Sequence, residues 1–409
     1  MTDALVTASP EAVGLSSEGL ERIDAAIQAE IDAGTIPGAV TLVARHGQIC
    51  HVRSMGMLDI EKGQEARVDG LYRIFSMTKP VTAVAMMILW DQGLWRPEDP
   101  IEKHLPEFAD AKVLASVGED GEPVLEHAAH PPTLRELLTH TAGLSYGGPL
   151  SDAADPVNRA YRDAEVWDAA TLAEMMARLG PLPLAYQPGT SWRYSIGMDV
   201  QGALIERLTG RSLPDFMARE IFGPLGMVDT AFHIPPDKTD RLAGLYFKAG
   251  EAPLTPIANP LQPDYFARPS LAMGGGGLVS TIGDYARFAQ MLLDKGALNG
   301  TRIISEAAAT LMMRNHLPDA LIEHGFTAGH QRIRPGFGFG FNGVVFTDPQ
   351  AAGIPVGQGT YHWDGAAGTW FWVDPANDLI FVGLTQFLSY TAPPLQATTQ
   401  TLMAGAIIG

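Results

Sequence analysis

The chain has 409 residues, 46% of them hydrophobic, with a formal net charge of -18 and an isoelectric point near 4.9. That length and apolar content suit one large globular unit or two domains and exclude general disorder, while the negative charge repels phosphate backbones and anionic lipid, so neither nucleic acid nor a membrane is an expected partner. The longest apolar run, Val81 to Trp90, is shorter than a spanning helix, and MTDALVTASPEAVG at the start has no signal-peptide pattern, so a soluble, cytoplasmic protein is expected.

Ser16 or Ser17 can cap a helix whose Leu20, Ile23, Ile27 and Ile31 share one face and which ends near Gly34. GAVTLVARHGQICHVRSMG follows, and its β-rich runs about His46-Gly47 read as a hairpin. Cys50, the only cysteine, allows neither an internal disulfide nor a cysteine-based metal cluster and reads as core filler. From 76 to 290 the pattern is helical, with helices expected at Val81 to Gly93, Thr133 to His140, Thr171 to Leu179, Asp199 to Thr209, Leu213 to Phe222 and Thr281 to Leu293. A Pro- and Gly-rich segment from Ala249 to Gly277 is either the wall of a substrate cleft or a surface excursion. The alternation PGFGFGFNG at 335 to 343 reads as a strand with close neighbours, not as a phosphate loop. Three strand-like runs then appear, GTYHW, GTWFWVDP and DLIFVGLTQF, with a tight turn at Pro375-Ala376-Asn377-Asp378 between the last two. A helical stretch from Leu395 to Ile408 closes the chain.

These elements imply an α+β fold. An antiparallel sheet domain with flanking terminal helices is expected from 1–75 and 291–409, a mainly helical domain from 76–290, and the active site in the cleft between them.

Two serines compete for the chemistry. Gly143-Leu144-Ser145-Tyr146-Gly147 matches the G-x-S-x-G elbow of α/β-hydrolases, but Leu134, Leu137 and Leu138 before it repeat at helical spacing, where an elbow needs a buried strand. Ser76 and Lys79 in FSMTKP would lie one turn apart at the start of the apolar helix VTAVAMMILWDQG. Burial can lower a lysine's pKa until it serves as the base that a serine nucleophile needs. Alone this spacing is weak: 15 serines and 7 lysines produce it by chance about a quarter of the time. Tyr194 stands just before the helix expected at Asp199, where a hydroxyl can point into a cleft. Trp363-Asp364-Gly365 precedes a corner of small residues that lets backbone N–H groups approach a ligand.

With these motifs in order, the chain resembles the serine β-lactamase and penicillin-binding-protein superfamily, most closely its family VIII carboxylesterases with class C β-lactamase-like folds. The resemblance rests on the Gly-Ala-Val strand at 38, SMTK at 76, LRELLTHTAGL at 134, PGTSWRYS at 188, GGGGLVSTIGDYARFAQMLL at 274 and WDGAAGTWFWVDP at 363. It implies a β-lactamase/DD-peptidase-like fold in which Ser76 is acylated, Lys79 is its base and Tyr194 shares in proton transfer. It also implies an oxyanion hole from the backbone N–H groups of Ser76 and Ala366, and substrate contacts from Trp363, Asp364, Gly365 and Tyr146. The G-x-S-x-G match at Ser145 is then incidental.

Two departures bear on substrate. The second motif of β-lactamases, Tyr-x-Asn, is Tyr194-Ser195-Ile196 here, and Trp363 replaces the lysine that opens the third. Losing an amide and a cation while adding an indole favours uncharged esters over β-lactams. A small-molecule ester hydrolase is therefore expected. An acyltransferase, a β-lactamase or D-aminopeptidase, an amide hydrolase, and an idle relative that binds acylated ligands are the alternatives. His127 and His130 lack a carboxylate at zinc-site spacing, His140 is expected to fix its own turn by local hydrogen bonds, and His362 is expected to be structural. No cofactor or metal is implied.

Overall fold

The computed structural model describes residues 6–119, 121–148, 151–259, 262, 264–328 and 331–408. Pro260 and Pro263, which belong to the segment from Ala249 to Gly277 singled out above, lie outside the described residues.

Both chain ends build one sheet. Among the described residues its strands lie side by side in the order Val6–Thr7, Gln48–Asp59, Gly38–Arg45, Leu379–Leu384, Thr369–Asp374, Tyr361–Gly365, Val344–Phe346 and Phe337–Phe339, with Gln64–Glu65 paired to Gln48–Asp59. Val6–Thr7 pairs parallel to its neighbour; the other pairings are antiparallel. The seam between the chain ends runs from Arg45 opposite Leu379 to Val40 opposite Leu384. Gly38–Arg45 and Leu379–Leu384 are buried at every position because the sheet is covered on both faces. On one face Ala39, Val43, Trp370, Trp372 and Phe381 meet Leu20, Ile23 and Ile27 of helix Ser17–Asp32 and Met403 of helix Leu395–Ala404. Helix Ile282–Leu293, which crosses the boundary expected at 290, packs on Leu379–Leu384, Thr369–Asp374 and Gly38–Arg45 from the other side. Cys50 is buried, and burial raises its thiol pKa to about 11, as befits core filler.

Ser16 caps the first helix through its side chain, accepting from the Gly19 N–H. The last helix stops at Ala404, short of Ile408, and the Ser16 N–H donates to the Ala406 carbonyl at 2.8 Å, tying the two ends of the chain.

The expected helices of the middle region form as Thr78–Asp91, Leu134–Leu138, Leu172–Leu179, Gly197–Thr209 and Leu213–Met217, the last continuing into a π turn at Ala218–Phe222. Leu134–Leu138 is short but closed by a capping box, Thr133 and Glu136 each bonding the other's backbone. A hairpin of Lys112–Val117 with Pro123–His127, and helices Pro156–Asp163 and Glu306–Met312, were not expected. Among the described residues no helix is long and apolar enough to cross a membrane.

Candidate active site

Ser76 occupies a single 3-10 turn, Phe75–Met77, that runs directly into helix Thr78–Asp91. Phe75 has φ 44, in the left-handed region that bulky residues rarely visit. Neighbours hold it there: the Ile74 N–H donates to Leu278 O at 3.0 Å, and Ile74 O accepts from Met77 N at 3.0 Å and Thr369 Oγ1 at 3.2 Å. A Cβ on Gly365 would come within 2.5 Å of Ile74 O, so only glycine lets the end of strand Tyr361–Gly365 lie against this turn. Strained backbone fixed this firmly is a common feature of reactive sites.

Lys79 lies one helical turn on, and its side chain is fully buried. Ser76 Oγ is 3.0 Å from Lys79 Nζ and 2.7 Å from the Tyr194 hydroxyl, and Nζ donates to Gly275 O at 2.5 Å. Desolvation pulls the Lys79 pKa below the ordinary lysine range, against the upward pull of the Asp199 and Asp364 carboxylates. Burial drives Tyr194 the other way, well above the ordinary phenol, so its hydroxyl keeps its proton. Ser76 can therefore accept from a phenol and pass its own proton to an amine.

Tyr194 precedes helix Gly197–Thr209, and His140 fixes that turn. The Ser195 N–H donates to His140 Nδ1 at 3.1 Å, Ser195 Oγ lies 2.9 Å from the same nitrogen, and the Arg193 N–H donates to His140 O at 3.0 Å. The expectation that His140 bonds locally is corrected: its ring partner is Ser195, because the left-handed backbone at His140 (φ 61) sends the imidazole across to the second motif. Burial holds it well below the ordinary histidine pKa, hence neutral. The Tyr194 ring stacks on Tyr146 at 5.6 Å and on Trp363 at 6.1 Å.

A cavity of about 410 Å³ opens in front of Ser76 and Tyr194. Phe75, Tyr146, Trp167, Met273, Gly276 and Leu388 give it apolar walls, and Ala366 reaches it from the third motif. Asn259, Met273, Gly275 and Gly276 show the segment from 249 to 277 contributing a wall, braced by Tyr246–Lys248, which pairs with Thr255–Pro256 and with Phe387–Ser389.

Trp363 does not line this cavity: it is 2% exposed and packs behind Tyr194, since strand alternation turns it toward the core beside Phe339. Asp364 and Gly365 line a separate hollow of about 270 Å³ with Phe387 and Tyr390. Of the four expected substrate contacts, Tyr146 alone is on the cavity wall. Ser145 is 1% exposed, and its hydroxyl donates to an amide oxygen, Asn158 Oδ1, at 2.5 Å, so it braces the wall.

Sequence reasoning missed Asp199 and the use of Gly274 and Gly275. A Cβ on Gly274 would come within 2.5 Å of Met198 O, and one on Gly275 within 2.9 Å of Asp199 Oδ2 and 3.5 Å of Lys79 Nζ. The four consecutive glycines were the available signal. His127 ends an exposed strand beside Lys112 and Asp110, His130 faces Glu136 at 3.5 Å, and His362 stacks on Phe346 and bonds Gln396 on the sheet face away from Trp363. Among the described residues no group of three or more His, Cys, Asp or Glu is arranged to hold a metal ion.

The Beta-lactamase family model matches residues 23–404. Protein Rv1367c of Mycobacterium tuberculosis is 36% identical over 94% of this chain and 94% of its own length. Esterase EstB of Burkholderia gladioli is 32% identical over 92% of this chain and 93% of its own. Among solved structures, EstCE1, described as a hydrolase with promiscuous acyltransferase activity, matches 96% of this chain and 98% of its own with a TM-score of 0.77 at 27% identity. The fold is that of β-lactamases and penicillin-binding-protein homologues, and the chain belongs to the Beta-lactamase family.

Proposed function

We propose that the protein is a serine carboxylesterase that cleaves small uncharged esters through an acyl-enzyme on Ser76, in a cleft between the sheet built by both chain ends and the mainly helical middle of the chain. The observation that carries this reading is Ser76 Oγ held between the Tyr194 hydroxyl at 2.7 Å and Lys79 Nζ at 3.0 Å beside an apolar cavity.

In this reading neutral Lys79 takes the Ser76 proton as Oγ bonds to the ester carbonyl carbon. The backbone N–H groups of Ser76 and Ala366 receive the developing oxyanion, and loss of one such donor costs ~3 to 4 kcal/mol of transition-state stabilisation. Tyr194 gives its proton to the departing alkoxide, and the Lys79 ammonium restores it. Water then attacks the acyl-enzyme, losing its proton to the same pair, and Ser76 leaves as the free hydroxyl with the carboxylic acid. The apolar walls, the absence of an amide at Ile196 and the esterase relative support uncharged esters. The description of EstCE1 favours a second reading, in which an alcohol resolves the same acyl-enzyme.

The test is a parallel assay of wild type, Ser76→Ala and Ser145→Ala on p-nitrophenyl acetate, butyrate and octanoate, with nitrocefin alongside and an alcohol acceptor added in one arm. Loss of turnover in Ser76→Ala alone, with esters far ahead of nitrocefin, is expected. A Ser76→Ala enzyme that still turns over esters, or wild type that a p-nitrophenyl phosphonate fails to phosphonylate with release of p-nitrophenol, rejects the reading.

A further inference from the structure

Asp199 is 1% exposed, at the third position of helix Gly197–Thr209, and it lines the cavity. A buried carboxylate is expensive unless hydrogen bonds and a cation compensate it. The helix N-terminus provides part of that compensation. More comes from across the site, from the Lys79 charge and the Gly274 backbone and most directly through Gly275, whose N–H donates to Asp199 Oδ1 at 3.2 Å while its carbonyl accepts from Lys79 Nζ at 2.5 Å. Gly275 thus has its N–H on Asp199 and its C=O on Lys79, and the absence of a Cβ lets it lie between them. The residue fixed by Asp199 is the residue that orients the amine.

We propose that Asp199 is a positioning residue for Lys79: through Gly275 it aims the amine at Ser76 Oγ, and its negative charge sets how readily Lys79 holds a proton. This rests on the reading of Lys79 as the base of the proposed reaction. Lys79 is faced by Tyr194, with its ring 4.7 Å from Nζ, by Tyr146 at 6.0 Å, by the neutral His140, and by the carboxylates of Asp199 and Asp364. The two carboxylates favour the ammonium, against burial. Removing the Asp199 charge while keeping its acceptor oxygen therefore lowers the Lys79 pKa, with Asp364 still in place.

The experiment compares pH profiles of kcat/KM on p-nitrophenyl butyrate for wild type, Asp199→Asn, Asp199→Ala and Ser76→Ala, each checked for native circular dichroism. Asp199→Asn keeps the bond to Gly275 and is expected to move the acid limb to lower pH by about half a unit or more, with a plateau within about threefold of wild type. Asp199→Ala releases Gly275 and is expected to lose about tenfold in kcat with little change in KM. An Asp199→Asn limb that coincides with wild type, or an Asp199→Ala enzyme with wild-type kcat, overturns the inference while an inactive Ser76→Ala leaves the esterase reading standing. An active Ser76→Ala removes the reading itself. If Asp199→Ala does not fold, the limb of Asp199→Asn decides alone.

Discussion

Trp363 stands behind Tyr194, ring centroids 6.1 Å apart and planes 26° apart, without reaching the cavity wall. The indole at the third motif is therefore placed to support the tyrosine ring. Trp363→Ala leaves a cavity that costs ~3 to 5 kcal/mol of stability, and it frees Tyr194 to swing from Ser76. The expected kinetic mark is a fall in kcat larger than any change in KM, with Trp363→Phe retaining most of both. Michaelis parameters and urea unfolding of the two variants check this, and an unchanged kcat in a folded Trp363→Ala enzyme counts against it.

The pH dependence of the proposed ester hydrolysis follows from Lys79. Burial lowers its pKa, so the neutral base exists well below the pH at which an ordinary lysine sheds its proton. As pH falls through the shifted pKa, Lys79 takes up a proton and can no longer accept one from Ser76. We expect kcat/KM to fall about tenfold per pH unit on that side. Tyr194 is shifted upward, so no phenolate forms at mildly alkaline pH and the profile stays flat there. A profile that declines from neutral toward mildly alkaline pH would falsify this assignment.

Ser145→Ala separates the letters of a motif from its chemistry. The Ser145 hydroxyl donates to Asn158 Oδ1, which also accepts from Arg193 at 3.3 Å, so removal leaves the amide partly satisfied. A stability loss of ~1 to 2 kcal/mol is expected, with esterase activity close to wild type. Thermal unfolding and the p-nitrophenyl series together distinguish this from a nucleophile's loss.

Periodicity made the scaffold legible. Leu20, Ile23 and Ile27 mark one buried helical face, and the runs 38–45 and 379–384 are apolar at nearly every position because both faces are covered. Ser76, Lys79 and Tyr194 were legible because their motifs occur in a fixed order. Hidden were the contacts that join distant segments. His140 reaches Ser195 and Asp199 reaches Gly275 across loops whose lengths carry no trace of the pairing. Trp363 was expected among the substrate contacts because it stands where the third motif of the resembled family has its lysine; strand alternation sends it inward, while the turn after Gly365 brings Ala366 to the cavity.

Buried histidines set the acid stability. Burial lowers His362 to about 3 and His316 to about 4 from an ordinary 6.5, and it lowers His140 as well. Unfolding exposes these rings, so below pH 6.5 the unfolded chain binds protons that the native one refuses. Stability then rises with pH across this window and is lost as pH falls below 6.5. Each such ring contributes ~1.4 kcal/mol per pH unit between its unfolded and native pKa, and His316, shifted less, does so over a narrower range. Burial pushes Asp284 up to about 6 and raises Asp199, and these carboxyls oppose the trend by taking up protons in the native state first. They begin to act at lower pH than the histidines, so the net change from neutrality is a loss. His362→Phe removes one titrating ring, and urea unfolding between about pH 7 and about pH 5 should show a shallower decline than wild type. Equal slopes would mean that native His362 takes up its proton as readily as the unfolded chain does, and that its burial does not govern acid sensitivity.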